Sequence, residues 1–382
     1  MGRKSIFPRK KKHLHAANLC CRPNSQVMAE WGIFFMKKVT MQDIANILNI
    51  SRVTVWKVLN NQPGVSKQLR DQILLTAKET GYLKPGQEAE AYLEENNIYF
   101  EGKSKKSISV VISRPESSVF WINIIHAIAK ELDTKEFNLM YTYLPPNYYE
   151  GYTLPNVLTN GTASGMLIMN VYDIQMLRML NSLDIPKVFL DLVTDFPVDT
   201  LTGDLFVLAG KRSVKEITAS LIKQGRTEIG FIGDIHYALS NKERYEGFLA
   251  AMEENNIEVK KKYCLTSKLG IYTYYEEISA FLSSLDRLPQ AFVCVSDYVA
   301  NFMMQYFAEH GLRVPEDVAL SGYDGSTEYS MVSGKLTTVF VPTHQLGSRL
   351  ANQLIYRIEH PDTPLEITHI YSHIIWGKST EL

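Results

Sequence analysis

From residue 107 to the end of the chain, short uninterrupted apolar runs alternate with longer segments of helical period. The runs are Ile108–Ile112, Met166–Met169, Val188–Leu190, Ile229–Ile232, Ala291–Val295 and Val318–Leu320. Between them lie helical segments over 120–132, 174–183, 205–222, 244–255, 299–309 and 344–358. Strands buried on both faces and separated by helices make parallel α/β sheets. The stretch is too long for one comfortable sheet and suits two lobes. Such lobes bind ligands in the cleft at the carboxyl ends of their strands. The expected lobe boundary is near Arg226, with a return near Pro342 and a further crossing near Pro364.

The first hundred residues read differently. Residues 1–35 carry the basic run Arg9–Lys12 but no helical or strand period, and their apolar stretch is misplaced for a signal peptide. Met36 looks like a natural start, so 1–35 is expected to be an extension outside any domain. Over 40–82 three short helical patterns follow: Ile44, Ile47 and Leu48; Val55, Val58 and Leu59; Leu69, Ile73 and Ala77. Ser51 and Ser66 stand at N-cap positions, and Gly81 is a C-terminal stop. Pro85-Gly86 then opens a linker, taken as 87–107, that begins with Glu88, Glu90, Glu94 and Glu95.

Charge follows this division. Residues 1–35 hold seven Lys/Arg and one acid, and residues 36–86 hold eight and three. The remainder carries −12 of a chain total of −1. A basic end on an acidic body points to one part that meets a polyanion and another that does something else. With 45% hydrophobic and 21% charged residues the chain is a folding one. No apolar stretch reaches membrane-spanning length. The four cysteines include no C-x-x-C pair, which suits a reducing cytoplasm.

The helix expected from Ser51 to Asn60 has Val55, Val58 and Leu59 on one face and Arg52, Val53, Trp56, Lys57 and Asn60 on the other. That is the layout of a helix–turn–helix reading head, or of a small helical bundle with a solvated charged face. Arg and Lys reach guanine acceptors or phosphates, and Val53 suits a thymine methyl. Thr40, Ser51, Thr54 and Ser66 have hydroxyls for phosphate contact.

The runs Val39–Ala45, Ile50–Val55, Val58–Asn60, Val65-Ser66 and Gly81-Tyr82 resemble the headpiece of the LacI/GalR (lactose-repressor/galactose-repressor) family. The resemblance implies base contact by Arg52, Val53 and Lys57; with the hydroxyls and the outward helix face, the expected DNA-facing set is Thr40, Ser51, Arg52, Val53, Thr54, Trp56, Lys57, Asn60, Ser66 and Tyr82. Asn49 replaces a usual turn glycine, and Trp56 a usual serine. The linker Pro85-Gly86-Gln87-Glu88-Ala89-Glu90-Ala91-Tyr92 departs further. Glu90 replaces an arginine and Tyr92 a leucine that the family wedges into the minor groove. Carboxylates near phosphates repel, so the helix–turn–helix is expected to carry most of the DNA contact.

The body resembles the family's effector domain, which has a periplasmic-binding-protein-like fold. Arg244-Tyr245-Glu246-Gly247-Phe248 matches its Arg-x-x-Gly-Phe signature. Ser296-Asp297, Gly311-Leu312, Val314-Pro315, Gly322-Tyr323-Asp324 and Thr337–Val339 follow in family order. The resemblance implies effector contact by Arg244 and Asp324, whose paired hydrogen bonds suit a polyhydroxyl ligand. Phe120, Trp121, Ser296, Asp297 and, more weakly, Asp204 complete the candidate cleft set.

Enzyme motifs fail on spacing. Gly203–Arg212 has six residues between its glycines where a phosphate loop has four. Gly161–Gly165 has its serine one place late for a nucleophile elbow. His369 and His373 fall in a stretch that reads as strand, and His13, His15, Cys20 and Cys21 in the expected extension, so no metal or other cofactor is expected.

The fold expected is thus a small all-α helix–turn–helix headpiece plus an α/β two-lobed periplasmic-binding-protein-like effector domain. The headpiece is assigned to 36–86 and the effector domain to 108–382. The function expected is a cytoplasmic transcription regulator. Its partners are double-stranded DNA with a pseudo-palindromic operator, a sugar-like small-molecule effector and a second copy of the chain as homodimer, with no membrane. The rivals are a solute-binding protein without a DNA role and a sugar-processing enzyme.

Overall fold

The computed structural model describes residues 39–83, 106–114, 118–270 and 272–381. The expected extension, the start at Met36 and the acidic linker sequence lie outside the described residues. The chain separates into two compact units, one up to residue 104 and one from 105 onward.

The first unit holds α1 (Met41–Ile47), α2 (Arg52–Leu59) and α3 (Lys67–Glu79). Each starts on a hydroxyl that accepts a backbone N–H left free by the helix start. Thr40 accepts from Asp43, whose carboxylate accepts the Thr40 N–H in return, a capping box. Ser51 accepts from Thr54 at 3.1 Å and Ser66 from Leu69 at 3.4 Å. Asn49 between α1 and α2 has φ +53°, which explains why glycine suits that position and why asparagine replaces it at small cost. After α2, Arg70 on α3 donates to the Asn61 side chain at 2.8 Å and the Gln62 carbonyl at 2.9 Å, fixing the second turn. Ile44, Ala45, Val55, Val58, Ile73, Leu74 and Ala77 form the buried core.

The second unit runs β1 (Ser107–Ile112), α4 (Val119–Thr134), β2 (Asn138–Tyr143), α5 (Asn156–Thr159), β3 (Ala163–Met169), α6 (Ile174–Asn181), β4 (Lys187–Leu190) and β5 (Asp204–Leu208). It then crosses to α7 (Lys211–Lys223), β6 (Ile229–Ile232), α8 (Leu239–Glu254), β7 (Cys264–Leu265), α9 (Tyr274–Ser283), β8 (Ala291–Cys294), α10 (Asp297–Glu309), β9 (Ala319–Ser321) and β10 (Thr338–Phe340). It returns for α11 (Thr343–Glu359) and β11 (Ile367–Ile370), and crosses last to β12 (His373–Ile375). The N-terminal lobe is a parallel sheet of order β11-β5-β4-β3-β1-β2, with α11 packed on α4. The C-terminal lobe is a parallel sheet of order β7-β6-β8-β9, and β10 pairs antiparallel with β12. Both parallel sheets reverse their strand order beside the first strand, the place where such sheets open a crevice.

The expected helix over 205–222 is two elements. Residues 204–208 are buried throughout as β5, so the run shows no amphipathic period from which to separate strand from helix. The lobe boundary moves with it, from Arg226 to Ala209-Gly210, where a Cβ on Gly210 would strike the Arg244 side chain. Arg226 lies inside the C-terminal lobe and donates to the Thr380 carbonyl at 3.2 Å. The return at Pro342 stands, but the last crossing falls at Tyr371-Ser372, beyond Pro364. β2 and α9 were not expected. β2 is an edge strand with mixed exposure and no apolar run. His369 and His373 do lie on strands, β11 and β12, in different sheets.

Candidate effector cleft and DNA-facing helix

On α2, Val55 and Val58 are buried, which turns the opposite side outward. Arg52, Val53, Trp56 and Asn60 are exposed, Val53 by 61% and Trp56 by 47%, and Lys57 is half-buried. The isopropyl group of Val53 and the indole of Trp56 lie three residues apart, so they stand together on this outward face. The hydroxyls are more committed than expected. Thr40 bonds the Asp43 carboxylate at 2.7 Å, and Ser51 and Thr54 bond each other at 2.8 Å. The Asn60 amide donates to the Trp56 carbonyl at 2.9 Å, closing the helix end. Tyr82 is half-buried and packs against the headpiece core.

In the second unit, a cavity of about 460 Å³ opens between the lobes. Its lining comes from the carboxyl ends of strands in both: Arg114, Phe120 and Trp121 after β1, Asn170 and Tyr172 after β3, and Asp191 after β4. The other wall is Asp234, Tyr237 and Arg244 after β6, Ser296 and Tyr298 after β8, and Asp324, Glu328 and Tyr329 after β9. Five expected residues, Phe120, Trp121, Arg244, Ser296 and Asp324, therefore meet in one space.

Arg244 is built in tightly. Its guanidinium donates to the Val295 carbonyl at 2.5 Å, lies 3.6 Å over the Tyr323 ring and stands 3.9 Å from the Asp324 carboxylate. Its Nε is buried without a partner, an unmet donor in the cavity wall. The motif glycine, Gly247, sits where a Cβ would collide with the Lys211 carbonyl, so it lets α7 and α8 pack closely. Phe248 is fully buried. Asp324 has φ +116°, a backbone that side chains rarely adopt, at the point where the chain leaves β9 for the cavity. Burial pushes its carboxyl up to about 8, against the pull of Arg244.

Two expected cleft residues do other work. Asp204 opens β5, at the end of the strand away from the cavity. It is fully buried and takes Arg357 at 2.5 and 3.2 Å, the Gln353 amide at 2.8 Å and the Glu366 N–H at 2.9 Å. It is one half of a buried ion pair inside the N-terminal lobe. Asp297 is buried and is not among the residues that line the cavity. Its carboxylate accepts the Thr338 hydroxyl and the Ser326 N–H, both at 2.7 Å, and holds the loop that presents Asp324. Burial lifts its carboxyl to about 6. Ser296 lines the cavity while capping α10 through the Val299 N–H.

Sequence reasoning missed Asn170, Asp191, Tyr237 and Glu328, which join the lobes. Asp191 accepts the Ser240 hydroxyl at 2.5 Å and the Ser240 N–H at 3.2 Å, which caps α8 from the other lobe, where Ala238 provides no side-chain cap. Glu328 reciprocates by accepting the Val119 N–H at 2.9 Å, at the start of α4. Tyr237 donates to Asn170 at 3.2 Å. A carboxylate at a helix N-terminus meets free N–H groups and the positive end of the dipole. The only sequence signal for these groups was their place just after apolar runs.

Among the described residues no group of three or more His, Cys, Asp or Glu is placed to hold a metal ion. His13, His15, Cys20 and Cys21 lie outside the described residues. No described helix is long and apolar enough to cross a membrane.

Residues 40–84 match the family described as bacterial regulatory proteins, lacI family, and residues 218–380 match the periplasmic binding protein-like domain. The chain belongs to the LacI/GalR family. Among sequence relatives in the family, the HTH-type transcriptional repressor PurR of Mannheimia succiniciproducens is 27% identical over 350 residues, 90% of this chain and 98% of that protein. The repressor of the same description from Pasteurella multocida is 26% identical over 344 residues, 90% and 98% of the two chains. Among solved structures, a transcriptional regulator CelR–cellobiose complex superposes with a TM-score of 0.64 at 20% identity, covering 89% of this chain and 99% of that one. The Lac repressor dimer bound to operator and the anti-inducer ONPF gives 0.63 at 20%, covering 90% and 99%. At these identities the structural likeness speaks for the fold.

Proposed function

We propose that the protein is a sequence-specific transcription regulator, a repressor in the manner of its relatives, whose operator affinity is set by a small molecule in the interlobe cavity. The observation that carries this is the outward face of α2, where Arg52, Val53 and Trp56 stand exposed on a helix whose other face is the headpiece core. Arg52 and Lys57 supply hydrogen bonds to base edges or phosphates, and Val53 and Trp56 apolar contact in the major groove. Two such helices in a homodimer read the halves of a pseudo-palindromic operator.

Arg244 and Asp324 face the effector. A guanidinium beside a carboxyl offers donors and acceptors to adjacent hydroxyls of a sugar-like ligand. Phe120 and Trp121, with ring centroids 5.2 Å apart, give it an apolar wall. Occupancy shifts the balance between lobe arrangements joined by the Asp191–Ser240 and Glu328–Val119 bonds, and this couples effector to operator. The reading includes a cytoplasmic location and no catalytic role: of the cavity's carboxyl groups, Asp191, Asp234 and Glu328 are bound into lobe-joining and loop-holding contacts, and Asp324 stands beside Arg244.

The test is a gel shift on the DNA upstream of the protein's own gene, at low salt, with and without sugars. A retarded band that Arg52→Ala weakens supports the reading. No retardation under any condition rejects it.

A further inference from the structure

α2 leaves two large apolar side chains exposed, Val53 and Trp56, and fixes the backbone under both. Val55 and Val58, on either side of Trp56, are buried in the core. The Ser51 cap on the Thr54 N–H sets the first turn. The Trp56 carbonyl accepts twice from Asn60, from its N–H at 3.0 Å and from its side-chain amide at 2.9 Å, which sets the last. Apolar surface held in water in this way gains its burial energy only when a partner covers it.

Charge says what that partner is. Arg52 precedes Val53 and Lys57 follows Trp56, and residues 36–86 hold eight Lys/Arg against three acids. The matching surface is apolar at its centre and anionic around it. A thymine in the major groove has that chemistry, a C5-methyl group flanked by phosphates. Hydrogen-bond readout beside the pair is thin. Ser51 and Thr54 spend a hydroxyl proton on each other at 2.8 Å, and the Asn60 amide, the group suited to read adenine, is turned back onto the Trp56 carbonyl. Arg52 and Lys57 serve guanine and phosphate, so adenine–thymine pairs facing this helix are left to methyl contact.

We propose that Trp56 is a specificity-determining residue of this chain, and that with Val53 it selects the operator by covering the C5-methyl groups of thymines in two adjacent base pairs of each half-site. Three residues advance about 4.5 Å along a helix, close to the roughly 3.4 Å step between base pairs, so Val53 covers one methyl and the indole the next. The indole replaces the small hydroxyl side chain usual at this position, and with it a polar contact gives way to an apolar one. The proposal rests on the reading of α2 as the DNA-facing helix.

The test uses the full chain and the duplexes it binds most tightly from a randomised library. Uracil then replaces each thymine in turn, which removes the methyl group and keeps the base pair. The expected result is that two adjacent positions in each half-site lose roughly fourfold in affinity per methyl. In Trp56→Ser the penalty at one of them should vanish and the other remain, Val53→Ala should do the reverse, and Trp56→Phe should keep both. Both residues are exposed, so the variants should melt with the parent. Each uracil penalty is measured within one variant, so a general loss of affinity does not imitate the result. Uracil without effect at every thymine, or the same penalties in Trp56→Ser as in the parent, overturns the proposal and leaves the regulator standing. A chain that enriches no sequence rejects the regulator reading, and the proposal with it.

Discussion

The headpiece and the effector body use their surfaces in opposite ways. The headpiece puts its chemistry outside, on one face of α2, and the residues proposed to read DNA alternate along the helix with those that build the core. The body puts its chemistry inside, in a cavity lined from the ends of strands in both lobes. An outside site keeps its charges in water, so changing one removes a contact and little else. An inside site has charges that must be matched where they are buried, so stability and recognition share residues. Asp204 and Arg52 mark the two extremes.

The sharpest way to break this comparison is Asp204→Ala. It leaves the Arg357 guanidinium buried beside a void, and the expected cost is about 3–5 kcal/mol of body stability, read by chemical denaturation. A loss near zero would return Asp204 to the list of ligand contacts. Next comes Arg52→Ala, expected to weaken operator binding by about 1–3 kcal/mol, roughly ten- to a hundred-fold, with the melting temperature unchanged. A large fall in melting temperature would show that the outside site is not independent of folding.

A smaller effect follows from pH. Asp297 titrates at about 6 and Asp324 at about 8 in the folded body, both raised by burial. An aspartate in the unfolded chain titrates at about 3.9, so the folded state holds these protons more tightly. The stability they contribute is complete below that value and is lost as pH rises through 6 and then 8. Thermal melts across that range should fall with pH, and Asp324→Asn, which cannot ionise, should flatten the upper part of the slope. An unchanged slope in the variant contradicts the assignment. The smallest expected effect is that of Glu328→Gln, which weakens one of several lobe-joining bonds. Faster amide exchange at Val119, with Ser240 unaffected, would separate that bond from the Asp191 one; unaltered exchange would show that Glu328 does not hold the lobes.

Legibility in the sequence followed the range of the interactions. Ser51, Ser66, Val55 and Val58 were readable because caps and helix faces depend on residues three or four apart. The strands Ile108–Ile112 and Ile229–Ile232 were readable because burial on both faces leaves an apolar run. β5 was misread as helix for the same reason, since a run apolar throughout has no period. Phe120, Arg244 and Asp324 reached the cleft list through resemblance to a family, and the cavity unites them. Asp204 and Asp297 followed strand ends or motif neighbours and proved to hold structure instead. Glu328 had no local mark and Asn170 only its place after an apolar run, because their partners are 209 and 67 residues away.

The sequence by itself determined the basic three-helix head, the alternating α/β body and the outward face of α2, since each is set by contacts within a few residues or by burial that marks composition. Only the tertiary structure decided where the lobes divide, which carboxyl groups are cemented into the fold and which face the cavity. An aspartate at the start of a strand and one at its end read alike in a sequence. They differ in whether the chain returns an arginine to meet them, as Arg357 meets Asp204, or leaves them at the cavity wall, as with Asp324.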